Sequence, residues 1–129
     1  MRRRAGREDG SAVVELALLL PILFLVLLAA VQVGLLARDQ LVLTQAARAG
    51  AREAAVSLDD ATVRGTVLEA ASGLDADRLE VVLSREGAQG EPVRVALVYV
   101  APMAGPLAGW LLPASVELRA SATMRQEVG

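Results

Sequence analysis

Cysteine, histidine and lysine are all missing from this 129-residue chain. Without cysteine there is no disulfide and no thiol nucleophile, and thiol usage says nothing about redox compartment. Without histidine the commonest general base and the commonest metal ligand are gone. All 13 basic residues are arginines, set against 15 acids for a net charge of −2, and the aromatics are Phe24, Tyr99 and Trp110 alone. An acidic chain with so few aromatics and no basic stripe is a poor binder of nucleic acid. The serines have no histidine partner, and no glycine-rich phosphate loop leads to a lysine. Asp59, Asp60, Asp75, Asp77 and Glu80 read as capping, turn and solvated-strand residues. Asp75-Ala76-Asp77 lacks the further oxygen ligands and the loop glycine of a calcium site. No enzyme activity, cofactor or metal is expected.

What the chain has in excess is apolar length. From Leu16 to Val31 no polar side chain interrupts the run, which is broken chemically only by Pro21. Extended through Gln32 and Gly34 to Ala37, the segment is about 33 Å long as a helix. A hydrocarbon core is roughly 30 Å thick, so the segment spans it with little tilt. Arg2, Arg3, Arg4 and Arg7 lie on its N-terminal side, and the arginine bias places that end in the cytoplasm. The chain divides accordingly into a basic leader at 1–10, a transmembrane helix at 11–37, a helix extension at 38–58 and a small extracytoplasmic α+β domain at 59–129. The expected location is the cytoplasmic (inner) membrane, crossed once, with lipid as the first partner. A cleaved secretory signal is the first rival reading. Its apolar region is normally only about 7–15 residues, and the stretch from Gln32 to Arg38 has no small-x-small cleavage site. An uncleaved signal anchor is the second. Pro21 removes one helical hydrogen bond, giving either a mild kink or a bend fitted to a neighbouring subunit.

Glu15 is the one charge between Asp9 and Arg38, and a carboxylate at the start of a membrane helix is costly enough to be a functional candidate. Gly10 precedes it by five residues. Were the chain cut between Gly10 and Ser11, Ser11 would become a free ammonium one helical turn from Glu15, on the same face. The carboxylate would then meet its own N-terminus or that of an adjacent chain, which offsets part of its desolvation and, in the second case, fixes an axial register between subunits. Near the membrane edge, an unpaired Glu15 could instead snorkel or protonate.

Basic leader, Gly10, small residues, Glu15 and an apolar helix together resemble type IV prepilins and pseudopilins. More narrowly, Gly10-Ser11-Ala12-Val13-Val14-Glu15-Leu16-Ala17-Leu18, with Pro21 six residues after the acid, resembles the TadE-like pseudopilins of tight-adherence (Flp/Tad) pilus assembly systems. The Ala/Arg-rich run from Gln45 to Ala55 fits the stretch that follows the membrane segment in that family. The resemblance implies a minor pseudopilin, processed between Gly10 and Ser11 by a prepilin peptidase, with Glu15 needed for processing or assembly and other pilin-like subunits and the Tad machinery as partners. Ser11 departs from the large apolar residue that usually opens a mature type IV pilin. The alternative is a signal-anchored extracytoplasmic binding or adaptor protein of the cell envelope.

Beyond the span, no proline falls between Arg38 and Val56, so one helix is expected from about Ala12 to Val56. Leu41, Val42, Gln45, Ala46 and Ala49 fall at helical spacing and mark a shallow apolar stripe. The small residues around Gly50 permit close backbone approach, either to this protein's own sheet or to a neighbouring subunit, which makes Gly50 a candidate partner contact. Asp59 and Asp60 are fit to cap a short helix from about Ala61 to Ala71. Strands are expected at Leu79 to Leu83, Val93 to Val100 and Val116 to Met124, each with one apolar face, the first two joined by a hairpin loop from Ser84 to Pro92. Fold class is thus α+β: a long N-terminal helix, a short second helix and a three-stranded antiparallel sheet, resembling the pilin architecture. The loop from Ala101 to Pro113, with Met103, Leu107, Trp110, Leu111 and Leu112, is unusually apolar. It is expected to fold over the sheet as a lid. The other reading is an exposed surface, with Trp110 as the contact for a partner or the membrane.

Overall fold

The computed structural model describes residues 8–106 and 108–129. Arg2, Arg3, Arg4 and Arg7 of the expected leader lie outside the described residues, as does Leu107 of the apolar loop. The chain falls into two compact units, Met1–Gly34 and Leu35–Gly129.

Helix α1 spans Glu8–Val56. In the first unit its apolar side chains find no protein cover: Leu16, Leu20, Leu23 and Leu27 are all more than half exposed. The most apolar window has a mean hydropathy of 2.8, and none of it is buried. Leucine and alanine are strong helix formers, and in lipid a helix is one of only two ways to satisfy every backbone group. Pro21 sits inside the helix. It has no N–H to donate to the Ala17 carbonyl, yet the helix continues through it.

In the second unit the rest of α1 packs with helix α2 (Asp60–Ala70), a single 3-10 turn (Ala76–Arg78) and three strands, β1 (Leu79–Arg85), β2 (Pro92–Pro102) and β3 (Ser115–Arg125). The strands form an antiparallel meander in the order β1-β2-β3. Opposite Val95 stand Leu83 on one side and Ala122 on the other, so the register carries one apolar face across all three strands. Val93, Val95, Leu97, Tyr99 and Ala101 are buried on that face, as the alternation in the sequence requires. The α+β class and the element order match the expectation. The strands run longer than expected because pairing continues to Arg85↔Val93 and Pro92↔Arg125. That shortens the expected 84–92 loop to six residues, 86–91, in which Gly90 takes φ 94°.

Each sheet edge has a carbonyl taken by a helix side chain. Gln40 Nε2 donates to Arg119 O of β3 at 2.9 Å, and Arg64 Nη1 donates to Val81 O of β1 at 3.0 Å. Such capping blunts an edge that would otherwise template further strands.

The face of α1 that meets the sheet is rotated from the stripe read in the sequence. Leu43, Ala46, Ala47, Ala51, Ala54 and Ala55 are buried, whereas Leu41 is exposed. Closeness decides the phase: the sheet lies against the smallest side chains, so the helix axis comes near enough to bury Leu43 deeply, and Leu41 is turned outward. Gly50 is the tightest point. A Cβ built on it would collide with Val67 Cγ2 of α2 and stand 3.2 Å from Val95 Cγ1 of β2. The sequence allowed Gly50 to be a partner contact. The structure corrects this: Gly50 is buried within its own unit, where only a hydrogen fits.

The turn from α1 to α2 is held from three sides. Asp59 caps α2, its carboxylate accepting from the Ala61 and Thr62 N–H groups and from the Thr62 hydroxyl. Arg85 reaches over from β1, donating to Ala54 O and Ser57 O at 2.9 Å each and pairing with Asp60 at 3.2 Å. A cation on the last carbonyls of a helix complements its dipole. The Glu127 N–H adds a third restraint, donating to Ala55 O at 2.7 Å.

Four outcomes follow for the full-length protein in detergent. Gly50→Leu should destabilise the second unit by about 1–3 kcal/mol through overpacking. Gly65→Ala, at an exposed α2 position with nothing within 4 Å of the new methyl, should stabilise it by about 0.5–1 kcal/mol. Denaturant titration followed by circular dichroism checks both signs. Arg85→Ala should cost about 1–3 kcal/mol by stranding two carbonyls, read in the same way. The Thr62 hydroxyl and the Ala61 N–H hold the Asp59 carboxyl below the ordinary aspartate range. Its contribution is therefore complete above the ordinary aspartate pKa and fades as pH falls through the lowered value. The difference in melting temperature between wild type and Asp59→Ala should be largest near neutral pH and shrink on acidification.

Candidate functional site

The residues singled out for processing and assembly lie in the first turns of α1. Gly10 and Ser11 are exposed and helical, and nothing stands within 4 Å of a Cβ built on Gly10. The Ser11 hydroxyl donates to Glu15 Oε1 at 3.3 Å, across the i, i+4 spacing. Glu15 is exposed, and among the described residues it forms no ion pair. Ser11 and Glu15 thus share one face, with the Ser11 backbone nitrogen at the end of that face. Pro21 follows six residues later, roughly a third of the way around the helix at about 100° per residue.

This geometry has a plain chemical capacity. The acid lies one turn from a residue whose nitrogen would become an ammonium on cleavage, directly before the apolar run from Leu16 to Val31.

The second set of candidates behaves differently. Trp110 is 80% exposed and Leu111 63% exposed, so the loop between β2 and β3 is not the lid that the sequence suggested. The loop is braced within itself. The Met103 N–H donates to Ala114 O at 3.0 Å, and the Gly109 N–H to Leu112 O at 2.8 Å. Gly105 and Gly109 adopt φ of 106° and 84°, a region open to glycine at little cost. These turns carry Trp110 and Leu111 outward at the tip, where they cannot fold back on the sheet.

On the outer sheet face, Arg94, Ala96, Val98, Arg119 and Ser121 line a shallow groove. Its polar groups are engaged with one another. Arg94 Nη2 donates to Ser121 Oγ at 3.3 Å, and Arg119 pairs with Glu117. Asp75, which the sequence placed in a turn, caps the 3-10 turn through the Asp77 N–H and pairs with Arg78 at 3.4 Å. Among the described residues no cluster of three or more acidic side chains is placed to hold a metal ion.

Comparison with known proteins bears on the first set. Residues 10–52 match the family model described as TadE-like protein. The match covers about a third of the chain, and what is similar to the family is that segment. The matched segment opens at Gly10, takes in Ser11, Glu15 and Pro21, and ends on the alanine-rich face that meets the sheet. Comparison with curated proteins returned no match, and comparison with solved structures returned none. Sequence reasoning missed the Arg85 clamp and the two edge-capping side chains, Gln40 and Arg64. No local pattern announces them, because each partner lies 17 or more positions away in the chain.

Proposed function

We propose that the chain is a minor pseudopilin of a tight-adherence pilus system. In this reading it is a single-pass protein of the cytoplasmic membrane with its leader in the cytoplasm and residues 59–129 outside. It acts structurally, by helix–helix assembly with other pilin-like subunits and the Tad machinery, and carries out no catalysis of its own. The observation that carries the reading is an apolar segment of α1 with no protein cover, lying within the TadE-like match, in which Glu15 is the one charge between Asp9 and Arg38.

The physical logic runs from Glu15 outward. An acid entering hydrocarbon alone costs several kcal/mol. Cleavage after Gly10 by a prepilin peptidase supplies an ammonium at Ser11 that can neutralise it within the chain or across to a neighbour. The second pairing is directional, so it sets one axial offset between adjacent helices, which nonspecific contacts among leucines cannot do. The apolar faces then supply contact area, and the ion pair supplies register. A signal-anchored envelope adaptor is the other reading. It needs neither the cleavage nor the ion pair.

The mature N-terminus separates the two. Mass spectrometry of protein extracted from membranes should find Ser11 as the first residue. An N-terminus still carrying the leader overturns processing and favours the adaptor. Glu15→Ala should leave membrane insertion intact and lower pilus production at least about tenfold, since stranding one member of a buried ion pair costs about 3–5 kcal/mol. Pilus counts by electron microscopy provide the readout, and unchanged counts remove Glu15 from assembly.

A further inference from the structure

The TadE-like helix leaves Trp110 and Leu111 unexplained. We propose that the tip of the β2–β3 loop is a second membrane contact, seated in the interfacial layer of the bilayer that the apolar part of α1 crosses. This inference rests on reading that segment as a span, but not on the pilus role.

The chemistry of the loop comes first. No charged residue occurs between Arg94 and Glu117, and the tip places its largest side chains outward at 80% and 63% exposure. An apolar patch of this kind on a small domain marks a contact surface. Tryptophan, with an apolar ring and one N–H donor, favours the boundary between headgroups and acyl chains. The internal hydrogen bonds from Met103 to Ala114 and from Gly109 to Leu112 lower the cost of taking the loop backbone out of water.

Placement within the second unit selects lipid over a protein partner. The Glu127 N–H meets Ala55 O, and Gln40 Nε2 meets Arg119 O. Descending residue numbers along β3 therefore accompany descending numbers along α1. From Arg119 the strand continues in that direction to Ser115, about 13 Å at roughly 3.3 Å per residue. From Gln40 the helix needs only about 7.5 Å to reach Leu35, where the chain passes into the apolar segment. Within this unit the loop thus leaves the sheet at the end where Leu35 and Leu36 lie, the residues that follow the apolar run in sequence, and it displays Trp110 at that end. A protein interface surrounds its apolar core with a polar rim, and this loop has no charged residue from which to build one.

Trp110 is the sole tryptophan, so intrinsic fluorescence reports the tip alone. The full-length chain is reconstituted into phosphatidylethanolamine/phosphatidylglycerol vesicles, with and without lipids brominated in the upper acyl chain, and recovered by flotation. The protein should float, Trp110 emission should be blue-shifted relative to the denatured chain, and bromolipid should quench it severalfold. Leu111→Asp, which keeps the fluorophore and alters only an exposed position, should float equally well, retain its circular dichroism and lose most of that quenching. Protein that floats with water-like Trp110 emission overturns the proposal. So does blue-shifted emission indifferent to bromine, which would mean that a protein surface or a second copy covers the tip. Failure to float overturns the span and the loop contact together, whereas the pilus reading alone fails on the mature N-terminus.

Discussion

A helix that is apolar on every side, and that nothing in its own unit covers, sets the terms for the rest of this protein. Helices on the surface of soluble domains present one apolar stripe and one polar face. The first unit has no such division: its leucines, valines and isoleucine point outward all round the axis. Water is a poor solvent for that surface, at a cost of roughly 25 cal/mol for each Å² left exposed. Lipid, or neighbouring helices within lipid, removes that cost. The same environment makes Pro21 tolerable, because other helices can re-satisfy the freed carbonyl. In the proposed reading, a carboxylate that would be unremarkable on a soluble surface gains, at the edge of hydrocarbon, from a counter-charge.

The second unit solves a different problem with the same helix. Its sheet is only three strands wide, and a small domain of this kind has little apolar area with which to offset the entropy of folding. The chain responds by closeness. Alanines at 46, 47, 51, 54 and 55, with Gly50 between them, bring α1 near enough for Val67 and Val95 to meet at its surface. Close approach also brings polar side chains within reach of carbonyls that would otherwise be left to water. Gln40 and Arg64 act on the sheet edges and Arg85 on the end of α1. The small-residue stripe thus serves packing within the unit, and the apolar segment of α1 and the tip of the β2–β3 loop stay exposed.

The TadE-like match fits this division of labour. It ends at residue 52, after the helix has presented both its apolar segment and most of its alanine face, and before the turn that Asp59 and Arg85 hold. The matched part is the part that meets lipid and seats the sheet. The α2–sheet body and its Trp110 loop lie outside it.

Local patterns were enough to reveal a good deal. The long apolar run, the alternation of Val93, Val95, Leu97 and Tyr99, the alternation of β3 and the capping acid at Asp59 each express a period or a preference contained within a few consecutive residues. Helix, strands, order and class could be read from them, along with the acid at Glu15 and its spacing from Gly10. The phase of the alanine face could not be read, since periodicity gave a stripe through Leu41 and Val42 while contact with the sheet selected Leu43 and Gly50. Nor could the fate of Trp110, where composition favoured a lid and two glycine turns instead directed the ring outward. The amino-acid sequence by itself determined which segments are apolar, how each repeats and where charge is absent. Only the tertiary structure decided which face is covered, which carbonyls Arg85 and Gln40 reach, and which apolar side chains remain for another surface, because those outcomes depend on distances between residues far apart in the chain.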